Sequence, residues 1–249
     1  MVPRVHVAPE DIHDGVARIR GDAAAHVSRV LRLSVGDELV VFDGEGGEYP
    51  ASVARMRRGE VVARLGERRA VDVELPAPLV LIQGLAKAPA MDRVVRSAVE
   101  LGAAAILPAV AARSVPKAGG HKAERWRRIA SEAAAQCGRA RVPDVADAVP
   151  FSDALGRGVG CLLMPWEGEA GHPMAHALAG ADLSRGVTVL VGPEGGWTVE
   201  EAEEVRSLGG LTVTLGARTL RVDTAVVAAL ALAASAIESA CGSHGPITD

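Results

Sequence analysis

The amino-acid sequence predicts an α/β protein with a mainly parallel sheet and helices on both faces, preceded by a small β-barrel domain. Short strand-like runs with glycine-rich turns occupy residues 1 to about 70, and apolar runs then alternate with helical segments. The stretch Asp72–Pro78 between these patterns contains two prolines and shows no periodicity. We therefore expect two domains, at residues 1–72 and 73–249.

In the first region, polar and apolar residues alternate over three short stretches. These stretches are Glu38–Phe42, Glu48–Ala54 and Glu60–Leu65, and the turn Asp43–Gly47 joins the first two. One helix is expected around Ala23–Leu31. Alternation with tight turns at this spacing is typical of a small β-barrel.

In the second region, apolar runs and helical segments follow one another. The candidate strands are Leu79–Ile82, Ala104–Leu107, Gly160–Met164, Val187–Val191 and Leu211–Leu215. Apolar residues recur at helical spacing in Met91–Ala98 and Trp126–Cys137, and Gly102 is placed to end the first of these helices. Thr198 and Glu201 have the spacing of a capping box, which predicts a third helix beginning there.

Charge is distributed unevenly along the chain. The 249 residues have a net charge of -4, but Arg113–Arg141 contains 8 Lys and Arg against 2 acidic residues, and Val142–Asp249 contains 5 against 14. The basic segment could contact RNA phosphates even in an acidic protein. Alternatively, it could be a solvated helix face that carries Arg125, Arg127 and Arg128.

Several classes of protein and site are disfavoured. The three cysteines, Cys137, Cys161 and Cys241, fit neither a disulfide framework nor a zinc site. His172 and His176 are four residues apart but lack a third ligand nearby, so no metal is expected. The apolar run Ala225–Ala234 is shorter than the ~20 residues of a membrane span. We expect a cytoplasmic protein without a signal peptide or a membrane partner.

One segment indicates a ligand site. Val189–Thr198 is a buried strand that enters a loop with three glycines and then a helix. At the carboxyl end of a parallel strand, glycines let the backbone approach a ligand closely. The spacing matches neither a phosphate-binding P-loop nor a dinucleotide-binding fold. A tight strand-to-helix connection without a ligand explains the glycines equally well.

A second segment, Leu215–Ala225, repeats the pattern of strand end, polar loop and apolar helix. Arg218, Arg221 and Asp223 cluster before the helix, where a carboxylate interacts favourably with the helix N-terminus. Asp223 or Thr224 could instead serve only as a helix cap.

Together, these segments resemble the RsmE-type family of bacterial 16S rRNA uracil-N3 methyltransferases, in the SPOUT class. The matching residues span the chain in order: His26-x-x-x-Val-Leu-Arg32, Glu100-Leu-Gly102, Arg125-Trp-x-x-Ile129 with Ala133, Gln136 and Gly138-Arg139, Gly192-Pro-Glu-Gly-Gly196, Leu215-Gly216, Leu220-Arg221 and Thr224-Ala225.

The resemblance implies a PUA-like RNA-binding barrel, a C-terminal trefoil knot, S-adenosylmethionine as cofactor and a homodimer. It implies three cofactor loops, at 163–166, 191–196 and 215–220. The implied cofactor-binding residues are Leu163, Met164, Pro165, Val191, Gly192, Pro193, Glu194, Gly195, Gly196, Leu215, Gly216, Leu220, Thr224 and Ala225. Trp166 and Trp197 border these loops and could line the pocket or pack in the core.

The implied reaction is methylation of N3 of a uridine in 16S rRNA, position 1498 in conventional rRNA numbering, within the small ribosomal subunit. Attack by N3 requires loss of its proton, so a cation can stabilise the developing anion and a carboxylate could accept the proton. Arg221 is the candidate cation and Asp223 the candidate acceptor. The candidate RNA-binding residues are Arg29, Arg32, Arg113, Lys117, Arg125, Arg128 and Arg139.

Three positions depart from the family pattern. Val222 and Asp223 stand where the family usually has Thr and Glu, and Ser97 replaces a customary Lys. Two other functions stay open: a SPOUT enzyme that methylates a ribose 2′-hydroxyl, and a non-catalytic RNA-binding assembly protein.

Overall fold

The computed structural model describes residues 2–71, 73–114 and 122–242. The chain forms two compact units. The first consists of Met1–Glu74 with Ser131–Val142, and the second consists of Leu75–Ala130 with Pro143–Asp249. Lys117, one of the candidate RNA-binding residues, lies outside the described residues.

The first unit is built on a seven-stranded sheet. Its strands are β1 (Arg4–His6), β2 (Ile12–His13), β3 (Val16–Arg20), β4 (Glu38–Phe42), β5 (Gly47–Arg57), β6 (Glu60–Leu65) and β7 (Arg69–Ala70). The order is β1-β4-β5-β6-β3-β2, with β7 beside β5. The β1–β4 pair is parallel and the other pairs are antiparallel.

The alternation seen in the sequence places one face of this sheet in the core. Leu39 and Val41 in β4 are buried, as are Val61 and Ala63 in β6, because successive side chains of a strand point to opposite faces. The expected helix is present as α1 (Gly21–Ala25), which continues into one π-helical turn at His26–Val30.

The turn predicted after β4 is held by a buried carboxylate. Asp43 accepts hydrogen bonds from the backbone N–H groups of Glu45 (2.8 Å) and Gly47 (2.9 Å), and it pairs with Arg68 (2.9 Å). Burial alone would raise the pKa of Asp43, but these N–H donors and the guanidinium lower it below its ordinary value. The carboxylate therefore stays charged and closes the turn.

The second unit contains a seven-stranded parallel sheet. Its strands are β8 (Leu79–Gly84), β9 (Ala105–Val110), β10 (Asp144–Val145), β11 (Val149–Pro150), β12 (Cys161–Pro165), β13 (Val187–Val191) and β14 (Leu211–Val213). The order is β10-β9-β8-β13-β12-β14, with β11 also beside β9. All six pairings are parallel.

The described residues after β8 form six helices, one of which, α3, belongs to the first unit from Ser131 onward. They are α2 (Ala88–Glu100), α3 (Lys122–Cys137), α4 (Phe151–Leu155), α5 (Met174–Ala179), α6 (Val199–Ser207) and α7 (Val222–Cys241). Val80 and Ile82 of β8 pack in a core cluster with residues of α4 and α6, whereas α7 contacts β8, β13, α2 and α5. Helices therefore cover both faces, and the predicted α/β class is confirmed. The trefoil knot stays a prediction.

Helix α7 differs from the sequence expectation in length. It has 20 residues, an 18-residue window of which has a mean hydropathy of 1.8, and it is the one helix in the described ranges long and apolar enough to cross a membrane. The apolar run Ala225–Ala234 is the central part of this helix, which begins before Ala225 and continues beyond Ala234. A core helix passes the same test, and Val226, Leu230 and Ile237 are buried in the protein.

Candidate active site

The predicted cofactor loops lie at one edge of the parallel sheet. Strands β8, β12, β13 and β14 run in the same direction, so the loops that follow them emerge at their shared carboxyl edge. Pro165 of β12 is in register with Val213 of β14, and the N–H of Trp166 donates to the Val213 carbonyl (3.0 Å). The loops after these two strands therefore begin side by side.

The loop after β13, Gly192–Trp197, is a compact turn that contains three glycines, and we call it the glycine loop. The N–H of Gly196 donates to the Pro193 carbonyl (2.9 Å), and Gly196 has a φ of +70°, which favours glycine. A Cβ on Gly192 would lie 3.2–3.3 Å from the backbone of Gly196 and Trp197. Side chains at these two positions would thus strain or fill the turn.

Helix α6 begins where the sequence predicted it. The Thr198 side chain accepts from the Glu201 N–H (3.2 Å), and the Glu201 carboxylate accepts from the Thr198 N–H (2.8 Å), which confirms the capping box. Trp197 is 2% exposed, and its ring packs against Phe151 at 4.9 Å between centroids. Trp197 is therefore a core residue that anchors the end of the glycine loop.

Glu194 fastens the glycine loop to helix α2. Its carboxylate accepts a hydrogen bond from the backbone N–H of Lys87, the N-cap residue of α2 (3.0 Å). Farther along α2, Arg93 pairs with Asp223 at the start of α7 (2.7 Å). Helix α2 therefore links the glycine loop to the beginning of α7.

The loop after β12 meets the glycine loop from the other side. The side chains of Leu163 and Met164 are fully buried in the core. The Trp166 indole N–H donates to the Trp197 carbonyl (3.4 Å). The carboxylate of Glu167 lies directly over Gly196, where a Cβ would collide with it. Sequence reasoning missed Glu167, which immediately follows the predicted loop.

The loop before α7 contains the two candidate catalytic residues. Arg221 is the N-cap residue of α7 and is exposed, and its guanidinium has no hydrogen bond or ion pair within the described ranges. The hydrogen bond from Arg93 lowers the pKa of Asp223 below its ordinary value. Asp223 is therefore a weaker base than a free aspartate.

The candidate RNA-binding arginines have different environments. Arg29 and Arg32 are exposed in the first unit, and Arg128 is exposed on α3. Arg125 forms a two-point ion pair with Asp92, with distances of 3.0 and 2.5 Å.

Two other candidates are engaged with the protein itself. Arg139 is 4% exposed and pairs with Glu74 (2.5 Å) inside the first unit, so this structure does not present it to RNA. Arg113 donates to backbone carbonyls of the glycine loop.

A further residue that sequence reasoning missed is Gln83 in β8. It is fully buried in a strand whose other members are apolar or glycine. Its Nε2 donates to the carbonyl oxygens of Gly84 (2.8 Å) and Gly192 (3.2 Å). A lone amide in an apolar run was the signal available in the sequence, because a buried polar group needs a partner.

The described residues contain no cluster of three or more His, Cys, Asp or Glu side chains able to hold a metal ion.

Comparisons with known proteins agree with this geometry. Residues 73–234 match the RNA methyltransferase domain family, and residues 19–66 match the RNA methyltransferase PUA domain family. The ribosomal RNA small subunit methyltransferase E of Synechocystis sp. is 35% identical, with 96% of this chain and 79% of that protein covered. The Bacillus subtilis protein of the same name is 33% identical over 85% of this chain and 87% of its own.

A solved relative shares the whole architecture. The ribosomal RNA small subunit methyltransferase E of Neisseria gonorrhoeae, solved bound to S-adenosyl methionine, has 29% identity and a TM-score of 0.79, covering 96% of this chain and 98% of its own. The resemblance inferred from the sequence motifs is confirmed. This protein belongs to the RNA methyltransferase family, among the ribosomal RNA small subunit methyltransferase E proteins.

Proposed function

We propose that this protein transfers a methyl group from S-adenosylmethionine to N3 of one uridine in 16S rRNA, uridine 1498 in conventional numbering. The glycine loop carries the proposal: it meets the loop after β12 and the beginning of α2 at the carboxyl edge of the sheet, and an ion pair joins α2 to the beginning of α7. Relatives named as small-subunit rRNA methyltransferases, one of them solved with S-adenosyl methionine, support it.

The residues at this edge fit such a cofactor. Backbone N–H and C=O groups can approach a ligand closely where Cβ atoms are missing, as at Gly192 and Gly196. We assign cofactor binding to the predicted residues of the three loops, with Leu163 and Met164 acting through their backbone because their side chains are buried. When bound, S-adenosylmethionine supplies an electrophilic methyl group on a sulfonium.

Arg221 is the proposed electrostatic catalyst. N3 of uracil becomes nucleophilic only when its proton leaves, and the negative charge then spreads over the imide. An exposed guanidinium at the start of α7 would stabilise that charge as it develops. Because N3 lies on the pairing edge, the target base must be unpaired or turned out of its stack.

Asp223 is the proposed proton acceptor, and its ion pair with Arg93 affects that role. Arg93 lowers the pKa of Asp223, so this carboxylate binds a proton less readily than usual. The alternative role for Asp223 is to hold the start of α7 beside α2, so that Arg221 is presented to the base. Comparison of Asp223→Asn with Arg93→Ala, which removes the ion pair but keeps the carboxylate, distinguishes the two roles.

RNA binding is assigned to the PUA-like unit, through Arg29 and Arg32, and to α3, through Arg128, whereas Arg125 is engaged by Asp92. We also propose the trefoil knot and a homodimer. The outer side of α7 exposes Val227 and Leu232, and an apolar groove of about 400 Å³ lies between α5 and α7. A second copy of the chain would cover this face. A substrate in the small ribosomal subunit implies a cytoplasmic location.

The decisive experiment incubates the purified protein with methyl-labelled S-adenosylmethionine and small ribosomal subunits from a strain lacking this modification. Nuclease digestion and mass mapping then locate the label. Label on N3 of a single 16S rRNA uridine is the expected result. Label on a ribose would instead identify a 2′-O-methyltransferase, and an absence of labelling would contradict the enzyme proposal.

A further inference from the structure

The glycine loop is held by side chains from neighbouring strands as well as by its own turn. From β8, Gln83 donates its Nε2 to the Gly192 carbonyl, at the first residue of the loop (3.2 Å). Gly84 brings β8 so close to the loop that a Cβ there would lie 2.5 Å from Pro193 Cδ. The end of β8 therefore forms a rigid support under the entry to the loop.

Arg113 holds the other end of the loop. It follows β9, and its Nη1 donates to the carbonyls of Gly195 (3.0 Å) and Trp197 (3.4 Å). Its side chain also lies against Gly195, where an added Cβ would be 2.9 Å from the Arg113 Cβ. The absence of a side chain at Gly195 thus allows the arginine to approach.

The segment that carries Arg113 is itself fixed to α6. The backbone N–H of Ala112 donates to the carboxylate of Glu201 (2.8 Å), which also caps α6 at Thr198. Glu201 is 7% exposed, so this junction lies within the protein. Arg113 therefore acts from an anchored position, as a residue that orients a neighbouring loop requires.

The amide of Gln83 is not explained by packing. It is fully buried, and within the described residues its Oε1 has no hydrogen-bond partner. A buried polar atom without a partner is costly, so an apolar side chain would suit this strand better if packing alone mattered. The Nε2 donor to Gly192 supplies a reason for an amide at this position.

We propose that Gln83 and Arg113 are positioning residues, which hold the backbone of the glycine loop in the shape that receives the cofactor. Arg113, although it begins the basic segment, then serves the cofactor loop and does not bind an RNA phosphate. This inference rests on the proposed use of the glycine loop for S-adenosylmethionine.

The test measures S-adenosylmethionine affinity by calorimetry and rRNA affinity by filter binding, in parallel, on the full chain. Arg113→Ala and Gln83→Met should each raise the Kd for S-adenosylmethionine about tenfold or more, the effect of losing a hydrogen bond that fixes the loop. The affinity for rRNA should stay within about twofold of the wild type. Arg113→Lys, which keeps a donor, should restore part of the cofactor affinity.

Arg128→Ala provides the contrasting variant, because Arg128 is an exposed cation on α3 assigned to RNA. It should weaken rRNA binding and leave the Kd for S-adenosylmethionine unchanged. If Gln83→Met fails to fold, as judged by circular dichroism, the two Arg113 variants decide the question, since Arg113 lies on a partly exposed loop.

The possible failures are distinguishable. A wild-type chain that binds no S-adenosylmethionine would overturn the proposed function itself. A wild-type chain that binds it, with Arg113→Ala binding equally well, would overturn only the positioning role. Loss of rRNA affinity in Arg113→Ala, with cofactor affinity intact, would identify Arg113 as an RNA ligand and likewise overturn the inference.

Discussion

Adding one methyl group at Gly84 should disable the glycine loop, the proposed cofactor loop, without unfolding the protein. Gly84 is the last residue of β8, and its φ lies outside the left-handed region, so alanine is compatible with the backbone. In an open strand position, Gly→Ala would stabilise the fold slightly, by about 0.4–1 kcal/mol. Here, however, the new Cβ would lie 2.5 Å from Pro193 Cδ and 2.8 Å from Pro193 N.

The size of the effect follows from these distances. Ordinary van der Waals contact begins at 3.4 Å, so Pro193 Cδ must move roughly 0.9 Å away from the new Cβ. The atoms in its way belong to the backbone and to a proline ring, which cannot rotate aside. Overpacking of this kind costs about 1–3 kcal/mol, which a stable domain tolerates. A displacement near 1 Å at a reacting site can reduce the rate about 100-fold. Activity should therefore fall far more than stability.

The assay compares Gly84→Ala with Gly156→Ala in the same unit. Gly156 also has a negative φ, -64°, but an added Cβ there meets only carbonyl oxygens at 3.6 and 3.8 Å. We expect Gly84→Ala to lose about 100-fold in kcat/KM for S-adenosylmethionine, while Gly156→Ala resembles the wild type. If both variants bind and use the cofactor normally, β8 does not support the glycine loop as described.

Four further outcomes follow from the structure. Arg221→Ala should lower kcat by about 100-fold or more while leaving the calorimetric Kd for S-adenosylmethionine unchanged, because the role proposed for its charge is to stabilise the transition state; a change confined to Kd would contradict this. Asp223→Asn and Arg93→Ala should lower kcat by the same factor at every pH between 6 and about 9 if Asp223 only positions α7, because both remove the ion pair and the lowered pKa keeps Asp223 ionised throughout that range; loss of activity in Asp223→Asn alone would favour the proton-acceptor role. Asp43→Ala should destabilise the first unit by about 2 kcal/mol in urea unfolding at pH 7, because it orphans two backbone N–H groups. The lowered pKa of Asp43 also predicts a pH dependence. The contribution of Asp43 to the free energy of unfolding is present above the ordinary aspartate pKa and is lost as pH falls through the lowered value. The stabilities of wild type and variant should therefore converge in strong acid. Leu232→Glu, on the exposed side of α7, should yield a monomer by light scattering with an unchanged circular dichroism spectrum; a persistent dimer would place the interface elsewhere.

Local signals in the sequence predicted most of the parallel sheet. β13 was predicted with its observed bounds, because Val187–Val191 is an apolar run buried on both faces, and the capping box located α6. The same reasoning missed β10, β11 and α4. These elements have two to five residues, too few for a period to emerge, and each depends on contacts with β9 that are distant in sequence.

In the candidate site too, features set by local sequence could be predicted and features set by distant partners could not. Glycine allows backbone conformations and close approaches that other residues do not, so the loop role of Gly192 and Gly196 could be inferred before the fold was known. The role of a charged side chain depends on its partner, and the partners here are far along the chain: Glu74 lies 65 residues from Arg139, and Gly195 lies 82 residues from Arg113.

The basic segment consequently has fewer cations available to RNA than its composition indicates. Arg113, Arg125 and Arg139 are bonded to the glycine loop, to Asp92 and to Glu74, and Arg127 pairs with Asp147 (2.7 Å). A cation already bound to a carboxylate adds little to counterion release on phosphate binding. Net charge along a sequence therefore sets only an upper limit on the nucleic-acid contacts of a folded surface, whereas glycine positions constrain a ligand loop directly.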